Sequence, residues 1–267
     1  MFPADFQGPR RPTPRILAEL AAGRATQPVW CNEIGGVTYQ IGAGPTREFL
    51  KWTPHDNGVD LTREIERLKW AGQYITVPRV LKQGSDDEGS WFLSAGLPGT
   101  TAVDERWRRQ PAVAVRAIGA GLRAMHDALP VADCPFEWSA EDRVARAHAY
   151  AATGAMDPNK WHKAHQHLTI ERGLELLTDI PPVDKLVVCH GDACSPNTLL
   201  DENGDWCAHV DLDTLGVADR WADLAVATWA TEWNYGPGWT EPLLDAYGIE
   251  PDARRIAYYR LLWDLCY

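Results

Sequence analysis

The apolar pattern of this 267-residue chain changes once, at Gly96-Leu97-Pro98-Gly99. Before that turn, Val29–Cys31, Val37–Ile41 and Glu48–Trp52 alternate apolar and polar residues, with turn-rich pieces at Asn32–Gly36 and Gly42–Pro45 between them. This predicts an antiparallel meander. Asp60 and Thr62 can cap a helix through Glu64, Leu68 and Ala71, with Ile65 and Leu68 on one face. Val77–Leu81 and Trp91–Ser94 predict two further strands, and Ile16–Leu20 a short helix after an irregular 1–13. After the turn the texture is helical. Val113, Ala117, Ile118, Leu122 and Met125 recur at helical spacing within Pro111–Leu129, and similar patterns lie near 139–152, 162–178, 220–233 and 251–265. Short strands fit between them at Leu186–Cys189, Thr198–Leu200 and Cys207–Val210. A strand-rich part followed by a helix-rich part predicts an α+β chain in two lobes, 1–95 and 96–267.

Charge narrows the partners. Acidic residues number 37 and basic residues 26, a net charge of −11. That argues against nucleic acid, which asks for a basic face, and suits a cationic partner, although many acidic proteins are merely soluble. No uncharged apolar run is long enough to span a membrane, and the opening MFPADFQGPRRPTPR has no apolar signal core. The six cysteines form no CxxC pair, so zinc is not expected and reduced thiols are. The expectation is a cytoplasmic protein.

The chemistry concentrates in Leu186–Leu200. An apolar strand runs into His190-Gly191-Asp192, Asn197 follows five residues after the aspartate, and a second strand leads to Asp211. A carboxylate such as Asp192 can orient an attacking hydroxyl and take its proton. The Asn197 amide and the Asp211 carboxylate are the hard oxygen ligands that magnesium requires. This HxDxxxxN spacing, followed by a strand and an aspartate, resembles the catalytic loop and metal-binding aspartate of kinase-fold phosphotransferases.

The N-terminal half should then clamp a nucleotide. Lys51 ends the third strand and Glu64 opens the next helix, the order of the lysine–glutamate pair that positions α- and β-phosphates; Glu66 is the alternative partner. Asn32-Glu-Ile-Gly35-Gly36 lies where a phosphate-covering loop would sit, although it lacks GxGxxG and reads equally well as a hairpin turn. Ser94, Ala95 and Leu97 fall where a hinge would bond adenine through its backbone.

Taken with Met125-His126-Asp127, Asp133-Cys-Pro-Phe-Glu137, His190–Asn197, Asp211–Ala225 and Ile256–Leu262, these segments resemble the aminoglycoside O-phosphotransferases of the kinase-like superfamily. The resemblance implies a two-lobed fold, ATP and magnesium between the lobes, and phosphorylation of an antibiotic hydroxyl by a monomer. It implies Asp192 as the base, Lys51 on the phosphates, and Asn197 and Asp211 on the metal.

Departures from the family bear on substrate. Where the family reads Asp-Leu-Gly-Arg, this chain has Asp211-Leu212-Asp213-Thr214. The 3′-kinases of kanamycin and neomycin usually carry an arginine and an acidic residue where this chain has Trp229 and Trp233. The stretch Trp229-Ala-Thr-Glu-Trp-Asn-Tyr235 looks closer to the streptomycin 3″-kinases. Aromatic faces and carboxylates suit guanidinium groups, so Trp229, Trp233, Glu232 and Asp264 are the substrate candidates. The two tryptophans, four apart, could equally be a core stripe. Asp157 lies where the family places a substrate-facing acidic loop, and a solvated loop explains it as well. Asp219 and Asp223 are expected to cap or pair locally. The resemblance thus implies streptomycin 3″-OH as acceptor, with the 3′-OH of a kanamycin-type drug, or a small alcohol in the same fold, as alternatives.

Overall fold

A computed structural model of the chain describes residues 13–32 and 34–266. The irregular N-terminus expected for 1–13 falls, but for Thr13, outside the described residues, as does Glu33 of the proposed phosphate loop. The chain divides into two compact units at Pro98/Gly99.

The first unit opens with helix α1 (Arg15–Ala21), then β1 (Thr26–Cys31), β2 (Val37–Ile41), β3 (Glu48–Pro54), helix α2 (Thr62–Ala71), β4 (Val80–Ser85) and β5 (Gly89–Ala95). The strands form one sheet in the order β1-β2-β3-β5-β4, with every neighbouring pair antiparallel. The predicted meander is therefore present, and Lys51 stands opposite Thr38 on one side and Phe92 on the other. Ile16, Leu17 and Leu20 of α1 join Tyr39, Ile41, Leu50, Trp52 and Leu93 in a single apolar cluster. Asp60 Oδ1 accepts the Thr62 N–H at 2.9 Å, the expected start of α2.

The fourth strand corrects the sequence reading. It was expected at Val77–Leu81 but runs from Val80 to Ser85. Pro78 has no N–H to donate to a ladder. As the sheet's edge strand, β4 also tolerates the exposed Lys82 and Gln83 that break an apolar pattern.

The second unit contains β6 (Thr100–Thr101), α3 (Glu105–Arg108), α4 (Pro111–Ala128), α5 (Ala140–Ala152), α6 (Ile170–Leu177), β7 (Leu186–Cys189), β8 (Thr198–Leu200), β9 (Trp206–His209), β10 (Gly216–Asp219), α7 (Trp221–Tyr235), α8 (Thr240–Tyr247) and α9 (Ala253–Cys266). Two small antiparallel sheets, β10-β7 and β6-β8-β9, flank the loop between β7 and β8. Helix α7 is buried at every residue from Trp221 to Thr231, the mark of a helix central to its unit. Helices α4 and α8 approach closely at Gly119, where a Cβ would lie 2.4 Å from the Leu243 carbonyl oxygen.

Here too one element differs from expectation. The helix read at 162–178 begins only at Ile170, where Thr169 Oγ1 accepts the Arg172 N–H. Residues 162–169 contain only Ala164 and Leu168 as apolar residues, too few to form a buried face, and they wind in turns instead. Gln166 Nε2 donates to the carbonyls of Asn159 and Trp161 and closes this loop on itself.

Candidate active site

Strand β7 is buried over Val187, Val188 and Cys189 and pairs with β10 from Leu186↔Asp219 to Cys189↔Gly216. It delivers the chain to His190, after which Gly191 turns it sharply at φ +86°. A Cβ there would sit 2.4 Å from the Thr214 carbonyl oxygen, so no other residue fits. Thr214, standing where the family usually has arginine, donates from Oγ1 to the His190 carbonyl at 3.3 Å.

Asp192 follows. Its Oδ2 accepts from Asn197 Nδ2 at 3.1 Å, and the same Nδ2 reaches the Asp192 carbonyl at 3.0 Å. Asp192 Oδ1 is buried and accepts no hydrogen bond among the described residues. A bare carboxylate oxygen in such a place is costly unless a ligand group completes it. Burial pushes the Asp192 carboxyl above the usual range and the Asp211 charge adds to the push, against the opposing pull of Cys194, His190 and Asn197. The Cys194 thiol is itself pushed well up, by burial and then by the Asp192 charge, so it is no thiolate nucleophile.

Asp211 lies two residues beyond β9 with φ +62°, a left-handed backbone that is uncommon for a non-glycine residue and that clusters at functional sites. Because Asn197 spends its Nδ2 on Asp192, its amide oxygen is the atom it presents to a cation. Asn197 and Asp211 offer hard oxygen donors beside Asp192, and a divalent ion there would offset the repulsion between the two carboxylates. The donor set fits magnesium.

The loop is held from within its unit by a residue that sequence reasoning treated only as a local cap. Asp223 on α7 accepts the His190 N–H at 2.6 Å and the Gly191 N–H at 2.8 Å, one on each carboxylate oxygen. His126 Nε2 lies 3.0 Å from Asp223 Oδ2, and His126 Nδ1 lies 2.8 Å from the Tyr247 hydroxyl. Burial alone would raise the Asp223 carboxyl, but His126, His190 and the Gly191 N–H hold it below the usual range. His126, Cys189 and Asp223 are close enough to ligate a metal. The carboxylate is already consumed by these donors, however, and Cys189 Sγ is bonded to the Asp219 carbonyl at 3.4 Å. The cluster is a scaffold for the loop. Asp219 also pairs locally, accepting the N–H groups of Asp184 and Trp221.

In the first unit, Lys51 Nζ lies 2.7 Å from Glu64 Oε2. Glu64 is buried and Glu66 is on the exposed face of α2, so the structure selects Glu64 as the partner. Asn32 closes the β1–β2 turn: its N–H donates to the Gly36 carbonyl, its carbonyl accepts from Gly35, and its Oδ1 accepts the Gly36 N–H at 2.6 Å. Ser94 is buried, the Ala95 N–H donates to the Arg79 carbonyl, and Arg47 donates to the Leu97 carbonyl. Ala95 N–H and Leu97 C=O are thus already engaged within this unit.

The substrate candidates divide sharply. Trp229 is 2% exposed and belongs to the core of α7, as the stripe alternative held, whereas Trp233 is 44% exposed. The Trp233 ring packs at 5.4 Å from Trp229, 5.8 Å from Trp263 and 6.2 Å from His162. The end of α7 is tied to the segments around the catalytic loop. Tyr235 donates to the Ala102 carbonyl at 2.7 Å, Arg108 donates to Asn234, and Thr101 Oγ1 donates to the Pro196 carbonyl. All three candidate carboxylates are engaged by their own chain. Asp157 Oδ1 accepts from the backbone and side chain of Asn159. Glu232 accepts from Thr240 Oγ1 at 2.9 Å and lies 3.6 Å from Arg260. Asp264 Oδ2 lies 2.5 Å from His165 Nδ1 and accepts the His162 N–H at 3.1 Å. The histidines went unnoticed because their stretch reads as helix.

Comparison with known proteins identifies the family. The profile of the phosphotransferase enzyme family (APH) matches residues 35–259. An aminoglycoside 3′-phosphotransferase of Streptomyces fradiae is 35% identical over 86% of this chain and 91% of its own length. The crystal structure of a type VIII aminoglycoside-3′-phosphotransferase superposes with a TM-score of 0.81 at 31% identity, covering 94% of this chain and 97% of the other. Aminoglycoside phosphotransferase APH(3″)-Id of Streptomyces rimosus, in complex with ADP and streptomycin, does so with a TM-score of 0.74 at 27% identity and the same coverage. With its kinase-like α+β fold and its Asp192–Asn197–Asp211 constellation, this chain belongs to the aminoglycoside phosphotransferase family of enzymes.

Proposed function

We propose that this enzyme uses ATP and magnesium to phosphorylate the 3″-hydroxyl of streptomycin, acting as a cytoplasmic monomer that confers resistance. Trp233 carries the acceptor assignment. It is an exposed indole on a stack of aromatic rings near the end of α7, in a wall whose carboxylates are already bonded. A planar guanidinium gains from stacking on an indole, whereas the ammonium groups of kanamycin need free carboxylates. The streptomycin complex of the S. rimosus relative is in keeping with this.

In this reading Asp192 Oδ1 accepts a hydrogen bond from the attacking hydroxyl and receives its proton, while Asn197 fixes Oδ2. Lys51, steadied by Glu64, binds the α- and β-phosphates. The Gly35-Gly36 turn covers the phosphates, and Leu97 N–H bonds adenine beside Ser94 and Ala95. Asn197 and Asp211 would hold magnesium, which supplies charge neutralisation at the transferring phosphoryl group. Positioning and electrostatics carry the rate.

A second reading, phosphorylation of the 3′-hydroxyl of kanamycin-type drugs, is favoured by the 35% identity to the S. fradiae enzyme. Measuring kcat/KM for streptomycin and kanamycin on one preparation separates the two. The first reading requires streptomycin to be the better substrate; faster turnover of kanamycin would replace it with the second.

A further inference from the structure

The loop of residues 157–168 and helix α9 meet at one carboxylate. Asp264 is 5% exposed, and both of its hydrogen bonds fall on Oδ2, from His165 Nδ1 at 2.5 Å and the His162 N–H at 3.1 Å. The His165 ring also packs 5.5 Å from Trp229, and the His162 ring 4.4 Å from Trp229. Trp233, His162 and Trp263 lie against the same cluster. The loop's other ionisable groups are Lys160, Lys163 and His167, all exposed, and Asp157, which is turned onto Asn159. Behind His165 a cavity of about 440 Å³ is lined by His165, Trp229, Ile256 and Arg260 among others. The loop therefore brings cationic groups, and one imidazole that occupies the carboxylate beside the aromatic stack.

We infer that His165 is a specificity-determining positioning residue: by holding Asp264 at Oδ2 it weakens that carboxylate's pairing with ammonium groups and leaves planar cations to bind on the Trp233 face. The inference rests on the acceptor reading above. Oδ2 already accepts two hydrogen bonds, one of them from an imidazole, so an ammonium can use both carboxylate oxygens only by displacing a donor. Without the imidazole, Oδ2 keeps only the His162 N–H and regains acceptor capacity next to apolar walls, a setting in which an ammonium pairs strongly. The imidazole contributes through Asp264 and touches no reacting atom.

The test uses His165→Ala and His165→Leu, the second retaining packing against Trp229 if the first folds poorly. Kanamycin affinity is read by titrating intrinsic tryptophan fluorescence, and turnover by kcat and KM for kanamycin and streptomycin. Both variants should bind kanamycin about tenfold more tightly or better, the scale of one hydrogen bond to a charged group. The gain should appear in Kd and KM with kcat for streptomycin unchanged. His165→Gln, which keeps a donor, should restore wild-type affinity, and adding Asp264→Asn to His165→Ala should abolish the gain. Unchanged kanamycin affinity in folded His165→Leu, or a gain that survives Asp264→Asn, overturns the inference. The acceptor reading is judged separately, by which drug the wild-type enzyme prefers.

Discussion

Asp223 Oδ2 accepts the His190 N–H at 2.6 Å, so α7 grips the backbone two residues before Asp192. The other carboxylate oxygen takes the Gly191 N–H, and the pair of bonds fixes where the loop begins. Asp223→Asn keeps the shape but sets an amide NH2 against these donors. Hydrogen bonds to a buried charge are worth about 1.5–3 kcal/mol each. The variant should lose several degrees of Tm and at least about tenfold in kcat, with KM for ATP little changed. A kcat equal to wild type would show that the grip is structural only.

Asn197→Ala and Asp211→Ala each remove one proposed oxygen ligand. Magnesium tolerates few substitutes in its octahedral shell. Both variants should need more magnesium for half-maximal activity and turn over more slowly at saturation. Titration curves that superpose on wild type in both variants would place the metal elsewhere.

Trp233→Ala removes the exposed face of the aromatic stack and leaves the buried Trp229 in place. Streptomycin KM should rise by about three- to thirtyfold, the scale of a cation–π contact of roughly 0.5–2 kcal/mol, with ATP KM unaffected. Equal KM values for streptomycin in the two proteins would remove the stacking explanation.

Acid should destabilise the fold through His209. Its ring is 1% exposed, and burial, then the adjacent His190, bring its pKa down to about 3. An unfolded histidine titrates near 6.5. Below that value the unfolded chain binds a proton that the folded chain refuses. Stability is therefore full above about pH 6.5 and falls toward pH 3, by up to about 1.4 kcal/mol per unit. Asp223, whose carboxyl is lowered in the fold, adds a further loss below about pH 3.9, as acid titrates it. Urea midpoints between pH 7 and 5 should decline less steeply in His209→Gln; an identical decline would place the acid sensitivity in other groups.

The elements whose apolar periodicity reports packing were legible in the sequence. The β1–β3 meander and helices α4, α5, α7 and α9 fall where alternation and helical spacing put them. Lys51 and Glu64 also fell into place, because strand order and burial of Ile65 and Leu68 together fix which glutamate faces inward. What the pattern missed has physical causes. Edge strand β4 carries polar residues that no alternation marks. Residues 162–169 have the spacing of a helix without its apolar face, which hid the contacts of His162 and His165 with Asp264. The His126–Asp223–Tyr247 network joins residues about a hundred positions apart, and no local signal connects them.

The most direct test of the account is the rate of ATP-dependent streptomycin phosphorylation by Asp192→Ala, measured beside its affinity for ATP. Asp192 Oδ1 is the buried, unpartnered atom on which the chemistry turns. A base contributes roughly 10²–10⁴-fold, so kcat should fall by at least about a hundredfold while ATP binding stays near wild type. A folded, ATP-binding Asp192→Ala enzyme that keeps more than about a tenth of wild-type kcat would contradict it.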